Sequence, residues 1–204
     1  MGGTFRGLCS ETIDVNRIFY PLALLALVAM GAVLVLGLYL HSKDIRNPRD
    51  ADAQRLATVH RLSGIAAGVC VLLVNSVVIT YFVGTSRWTK EVSETYRLPN
   101  DFIARSNRLK RRTFPISVAS MLVVVGVAAL GGAADPGSSF SRDLIARFGD
   151  DFAWADVHLG AALAGMALIA VGFYYQASYI HDNQSVIQEV MADVKRIRQE
   201  RGLD

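Results

Sequence analysis

Four long apolar segments dominate this chain and restrict what it can fold into. They cover residues 18–40, 62–83, 114–134 and 154–180. A helix needs about 20 mostly apolar residues to cross a bilayer, and a soluble domain would not separate its apolar residues into runs of that length. The sequence therefore predicts an all-α membrane protein. Its single domain is a bundle of four transmembrane helices embedded in lipid.

The basic residues are divided unevenly between the two sides of such a bundle. With four spans, both termini and the second connection share one side, which carries fourteen of the 21 Lys and Arg residues. Because cytoplasmic loops carry the excess of these residues, we expect both termini in the cytoplasm of a bacterial inner membrane. A net charge of +3 requires no nucleic-acid partner. The basic cluster at residues 105–112, beside the third span, indicates contact with anionic lipid instead.

Helical periodicity continues beyond the spans. In residues 85–113, Trp88, Val92 and Tyr96 recur at helical spacing before a turn signal at residues 98–101, which predicts a cytoplasmic helical hairpin. Pro115 follows this hairpin and is expected to break or kink the chain. On the other side, residues 141–148 predict a short surface helix.

The C-terminal residues 182–204 predict an amphipathic helix. Apolar residues recur there at spacings of 3, 4 and 3, namely Ile187, Val190, Val194 and Ile197. That spacing is typical of an a/d seam, which buries one face against another helix. We expect this helix to pack either on the cytoplasmic hairpin or on another subunit.

Two histidines open spans that run in the same direction. His60 precedes the second span and His158 lies at the start of the fourth, so we expect them at comparable depth near the external face. Small residues follow on the same helix faces: Gly64 and Gly68 after His60, and Gly165 after His158. Two neutral imidazoles facing each other suit six-coordinate haem iron, and the flat macrocycle needs small neighbours.

The same residues support other interpretations. Small-residue stripes below interfacial histidines are common in ordinary membrane helix packing, so a cofactor-free role stays open. The pair, together with His41 and with Asp44 or Asp156, also suits a copper or zinc ion. Arg61 and Ser63 at the membrane edge suit a quinone carbonyl or the haem propionates. Alternatively, the arginine contacts lipid phosphate.

The stretch His60-Arg61-Leu62-Ser63-Gly64 resembles the His-Arg-x-Ser-Gly stretch in the cytochrome b membrane anchors of succinate dehydrogenase. The resemblance implies a site near haem at which Arg61 and Ser63 contact quinone. It is confined to this stretch, and Val157-His158-Leu159-Gly160 does not reproduce the family's haem-histidine context. That anchor also has three spans rather than four. The wider layout is similar to four-helix b-type cytochromes, which use paired histidines on different helices.

These patterns together predict a membrane-integral, b-type cytochrome-like subunit that carries electrons between quinone and a redox partner complex. His60 and His158 would hold one haem b. The alternative is a cofactor-free structural or accessory subunit of a larger membrane complex. A transporter would need more polar groups inside the spans than Asn75, which we expect to hydrogen-bond a neighbouring helix. The sequence has no dinucleotide, P-loop or Cys-x-x-Cys motif and leaves open whether the chain is itself an enzyme.

Overall fold

Helices make up almost all of the described chain. The structure is a computed structural model that describes residues 15–42, 51–149 and 153–203. It contains five helices, which are α1 (Asn16–His41), α2 (Ala51–Tyr96), α3 (Asp101–Ala134), α4 (Ser139–Phe148) and α5 (Trp154–Glu200). All of them except α4 are long and apolar enough to cross a membrane. The predicted all-α fold with four spans is confirmed.

Three of the four long helices extend well beyond a bilayer. The helices α2, α3 and α5 contain 46, 34 and 47 residues, whereas a span needs about 20. Contacts between α2 and α5 advance in step along both helices, from His60–His158 through Asn75–Gln176 to Tyr81–Asn183, so these two helices are parallel. The extended parts of α2, α3 and α5 form a three-helix bundle on the side predicted to be cytoplasmic.

The connection between α2 and α3 is a tight turn. Arg97 adopts a left-handed φ of 58°, and the Leu98 N–H donates to the Ser93 carbonyl at 2.9 Å. This is a Schellman C-cap, which usually has glycine at the left-handed position. Asn100 stands at the N-cap of α3, but its side chain makes no capping hydrogen bond. The turn predicted at residues 98–101 is present.

The helix α3 is continuous through Pro115, so the expected break does not occur. A proline inside a helix removes one backbone donor and crowds one carbonyl. On either side of it, Thr113 and Ser117 are buried against the neighbouring helices. We attribute the continuity of α3 to this packing.

One apolar core runs the length of the bundle. Val71, Val78 and Phe82 of α2 belong to the same buried cluster as Val186 and Val190 of α5. Trp88 of α2 and Phe102 and Leu109 of α3, which lie in the extensions, belong to or pack against the same cluster. The C-terminal seam therefore packs within the chain, against the extensions of α2 and α3. One position in it was wrong: Val186 is fully buried, whereas Ile187 is only half-buried.

Polar side chains tie α2, α3 and α5 together inside the core. Gln176 Nε2 donates to Asn75 Oδ1 at 2.8 Å and to Ser117 Oγ at 3.0 Å, and none of the three residues is exposed. The hydrogen bond expected for Asn75 is thereby confirmed. A second buried amide, Asn183, donates to Tyr81 Oη at 3.1 Å.

Candidate cofactor site at the paired histidines

The structure brings His60 of α2 and His158 of α5 together. Their imidazole ring centres lie 6.4 Å apart, and the ring planes cross at 80°. Each residue lies near the start of its helix, and because the two helices run parallel, the rings reach the same depth. The comparable depth agrees with the prediction from the sequence, in which the second and fourth spans run in the same direction.

A glycine on a neighbouring helix seats each imidazole. A Cβ atom placed on Gly37 of α1 would lie 2.9 Å from His60 Cε1, and one on Gly131 of α3 would lie 3.1 Å from His158 Cε1. Any larger residue would displace the ring. The pairs α1–α2 and α3–α5 therefore hold their histidines in the same way, each against the last turns of the preceding span.

Both imidazoles carry an unsatisfied nitrogen. The backbone of Val33 lies in range of the His60 ring and that of Val127 in range of the His158 ring. Nevertheless His60 Nδ1 and His158 Nδ1 are buried and have no hydrogen-bond partner of acceptable geometry. Leaving a buried polar atom unpaired costs about 1–3 kcal/mol. Such a group calls for a specific explanation, and an ion or ligand is one of the usual ones.

The spacing of the two rings suits a single metal atom between them. Metal–imidazole nitrogen bonds are about 2 Å long, so two of them span about 4 Å from nitrogen to nitrogen. The two ring radii account for the rest of the 6.4 Å between centres. Neutral imidazole is a ligand for iron as well as for copper and zinc. The separation of the ring centres therefore leaves room for one metal atom between the two imidazoles.

The glycines expected to make room for a macrocycle contact valines instead. Cβ atoms on Gly64 and Gly68 would meet side-chain methyl groups of Val33 and Val124 at 3.7 and 3.6 Å. A Cβ on Gly165 would meet Val123 Cγ1 at 3.0 Å, a closer approach than most side chains make. These three glycines serve close helix packing here. A flat ligand between the histidines would require the valine contacts to open.

Arg61 and Ser63 are both engaged within the chain. Arg61 Nη1 pairs with Asp135 Oδ2 at 2.5 Å, and its Nη2 donates to Thr58 Oγ1 at 3.0 Å. Ser63 Oγ donates to the backbone carbonyl of Val59 at 2.7 Å. The arginine therefore links the start of α2 to the end of α3 beside the histidines. It is held at the edge of the span, with 44% of its side chain exposed.

His41 does not join His60 and His158 in a three-ligand metal site. Its Nε2 is 3.3 Å from Asp156 Oδ1, and both side chains are largely exposed. Among the described residues, no three His, Cys, Asp or Glu side chains gather as a metal site would require. Asp44, the other acid proposed for such a site, lies outside the described residues. In the described part of the chain, the paired histidines are thus a two-donor arrangement.

The two glycine seats, Gly37 and Gly131, were not identified from the sequence. Each lies in the last two turns of the span that precedes its histidine, a signal that was present but not specific. Which residue of α1 faces His60 depends on the rotation of α1 about its own axis. The sequence does not fix that rotation, since α1 is apolar on all sides.

No family model, no curated protein and no solved structure matches this chain.

Proposed function

We propose that this protein is a membrane-integral, b-type cytochrome-like subunit that carries electrons between quinone and a partner redox complex. One haem b would be held by His60 and His158. The observation that supports this proposal is the adjacent pair of half-buried imidazoles, whose ring centres lie 6.4 Å apart and whose buried Nδ1 atoms are unpaired. When bound, haem supplies reversible one-electron chemistry whose potential follows from its axial ligands and burial.

The residues around the pair have defined tasks in this proposal. Gly37 and Gly131 orient the two rings, because neither glycine has a side chain in the space that the ring occupies. Arg61, positioned by Asp135, offers a guanidinium at the span edge for a haem propionate or for a quinone carbonyl. The apolar core below the pair excludes water, which is one of the protein's means of setting a redox potential.

The proposal also places the site in the membrane. From the distribution of Lys and Arg, we infer that both termini lie in the cytoplasm of a bacterial inner membrane, with the histidine pair near the external face. Electrons would then be exchanged on that external side. The three-helix extension on the cytoplasmic side would be available to other subunits.

A second candidate function is supported by one specific observation. Valine side chains occupy the space beside Gly64, Gly68 and Gly165, as expected if these glycines exist only for helix packing. Under this alternative the chain is a cofactor-free accessory subunit of a larger membrane complex, and the histidine pair is a packing feature.

Histidine variants distinguish the two functions. We would express the wild-type chain and the His60→Ala and His158→Ala variants with haem supplied, and measure haem per chain after purification in detergent. His41→Ala and His181→Ala serve as controls because these residues lie outside the pair. The proposal expects haem in the wild type and both controls, and its loss from the two pair variants while they remain monodisperse. No haem in any of the five proteins would support the accessory-subunit alternative. Equal haem content in all five would show that His60 and His158 are not the ligands and would overturn the proposal.

A further inference from the structure

A groove of about 390 Å³ lies between α2 and α3, where α3 changes from basic to apolar sequence. Its lining consists of Val83, Lys110, Arg111, Phe114 and Pro115. It lies at the opposite end of the spans from the histidine pair, so nothing in the proposed electron transfer involves it.

The two cations of this groove are uncompensated. Lys110 and Arg111 form no ion pair or hydrogen bond with any residue that the structure describes. Some other cations on the same helices are paired, such as Arg87 with Glu91 at 2.8 Å and Arg105 with Glu189. No acidic side chain lines the groove. The groove is therefore a locally positive site open to an anion.

The rest of the lining is apolar and faces outward. Val83 and Phe114 are each 50% exposed, although both are large hydrophobic residues at the end of a span. Within six residues, α3 thus presents two cations and then an aromatic ring and a proline. This order matches a phospholipid that stands upright in the leaflet, with its phosphate above its acyl chains.

We propose that this groove binds an anionic phospholipid. Lys110 and Arg111 contact the phosphate of the headgroup, and Phe114, Pro115 and Val83 pack along the first carbons of an acyl chain. A soluble acidic peptide would satisfy the cations but would leave the exposed ring and valine without a partner. A phospholipid satisfies both parts of the groove, and it is the solvent that surrounds this end of the spans.

The test compares lipids and variants in detergent. We would titrate the full chain with palmitoyl-oleoyl phosphatidylglycerol or with the matching phosphatidylcholine, and count bound lipid by native mass spectrometry. The variant Lys110→Gln/Arg111→Gln removes the two cations of the groove. Lys195→Gln/Arg196→Gln removes the same charge far along α5 and is the matched control. Inorganic phosphate, added at equal ionic strength, separates a lipid site from a simple anion site.

We expect the wild type and the control to prefer phosphatidylglycerol. Each cation near an anionic headgroup contributes about a five-fold factor, so the double variant should bind phosphatidylglycerol about thirty-fold more weakly. Its binding of phosphatidylcholine should not change. If the double variant is not monodisperse, Arg111→Gln alone, at an exposed position, should give about a five-fold loss. An unchanged preference in these variants, an equal loss in the control, or displacement of the lipid by phosphate would overturn the proposal.

Discussion

The sharpest structural prediction concerns the seat beneath His60. Replacing Gly37 with alanine places a Cβ atom 2.9 Å from His60 Cε1, whereas ordinary van der Waals contacts begin at 3.4 Å. The ring must therefore move by about half an ångström. Overpacking of this kind costs about 1–3 kcal/mol, and alanine returns up to about 1 kcal/mol through its higher helix propensity. We expect Gly37→Ala to lower the free energy of unfolding by about 0–2 kcal/mol.

The same helix supplies a matched control. Nothing lies within 4 Å of a Cβ atom on Gly31, so Gly31→Ala should be neutral or stabilising. For a chain of this size, 1 kcal/mol corresponds to about 2–4 °C in the unfolding midpoint. Scanning fluorimetry in detergent should therefore give a lower midpoint for Gly37→Ala than for Gly31→Ala.

A double-mutant cycle identifies the cause. If contact with the imidazole is responsible, the penalty of Gly37→Ala should vanish in a His60→Ala background, because the clash has been removed. On α3, Gly131→Ala should show a smaller effect of the same sign relative to Gly126→Ala, since its contact with His158 is 3.1 Å. Two results would refute the claim that Gly37 makes room for the His60 ring. One is a Gly37→Ala unfolding midpoint equal to or above that of Gly31→Ala, and the other is an unchanged loss of stability from Gly37→Ala when His60 is alanine.

Three further outcomes follow from the bundle and its extension. Gln176→Leu should lower the unfolding midpoint by about 2–8 °C, because it leaves buried partners unpaired at about 1–2 kcal/mol, while Ser76→Ala at an exposed site should not. The hydrogen bond from Arg105 lowers the pKa of Glu189 below its ordinary value of 4.5. The pair therefore stabilises the fold above that pH, and this contribution is lost as the pH falls through the folded-state pKa. Both side chains are partly exposed, so wild type and Glu189→Gln should differ by about 0.2–1 kcal/mol at pH 7, a gap that closes as the pH falls through the folded-state pKa of Glu189. Arg97→Gly should raise stability by about 0.5–1 kcal/mol in thermal unfolding, since glycine removes the left-handed strain at that turn.

The four spans could be predicted from the sequence because they depend on composition. The shared depth of the two histidines could be predicted because it depends only on the number of spans between them. A run of apolar residues long enough to cross lipid allows few other structures. Once there are four spans, the second and fourth must run in the same direction. Parallel second and fourth spans place His60 and His158 at one depth, and the structure brings the two rings next to each other.

The features that could not be predicted from the sequence depend on how each helix is rotated about its own axis. Two features can be predicted only when the side of each helix that faces its neighbour is known. They are the glycine seats beneath the imidazoles, Gly37 and Gly131, and the buried hydrogen bonds of Gln176. The C-terminal seam shows the same limit, because a heptad pattern selected Ile187 where Val186 is buried. A straight helix of 3.6 residues per turn drifts from a 3.5-residue repeat, so the buried position shifts along the seam.

The most direct measurement is the dithionite-reduced minus oxidised visible spectrum of the purified wild-type chain, expressed with haem supplied. The account expects sharp α and Soret bands and one haem b per chain in a pyridine haemochrome assay. A flat spectrum from a monodisperse, fully inserted protein would contradict it and leave the histidine pair as a packing feature of an accessory subunit.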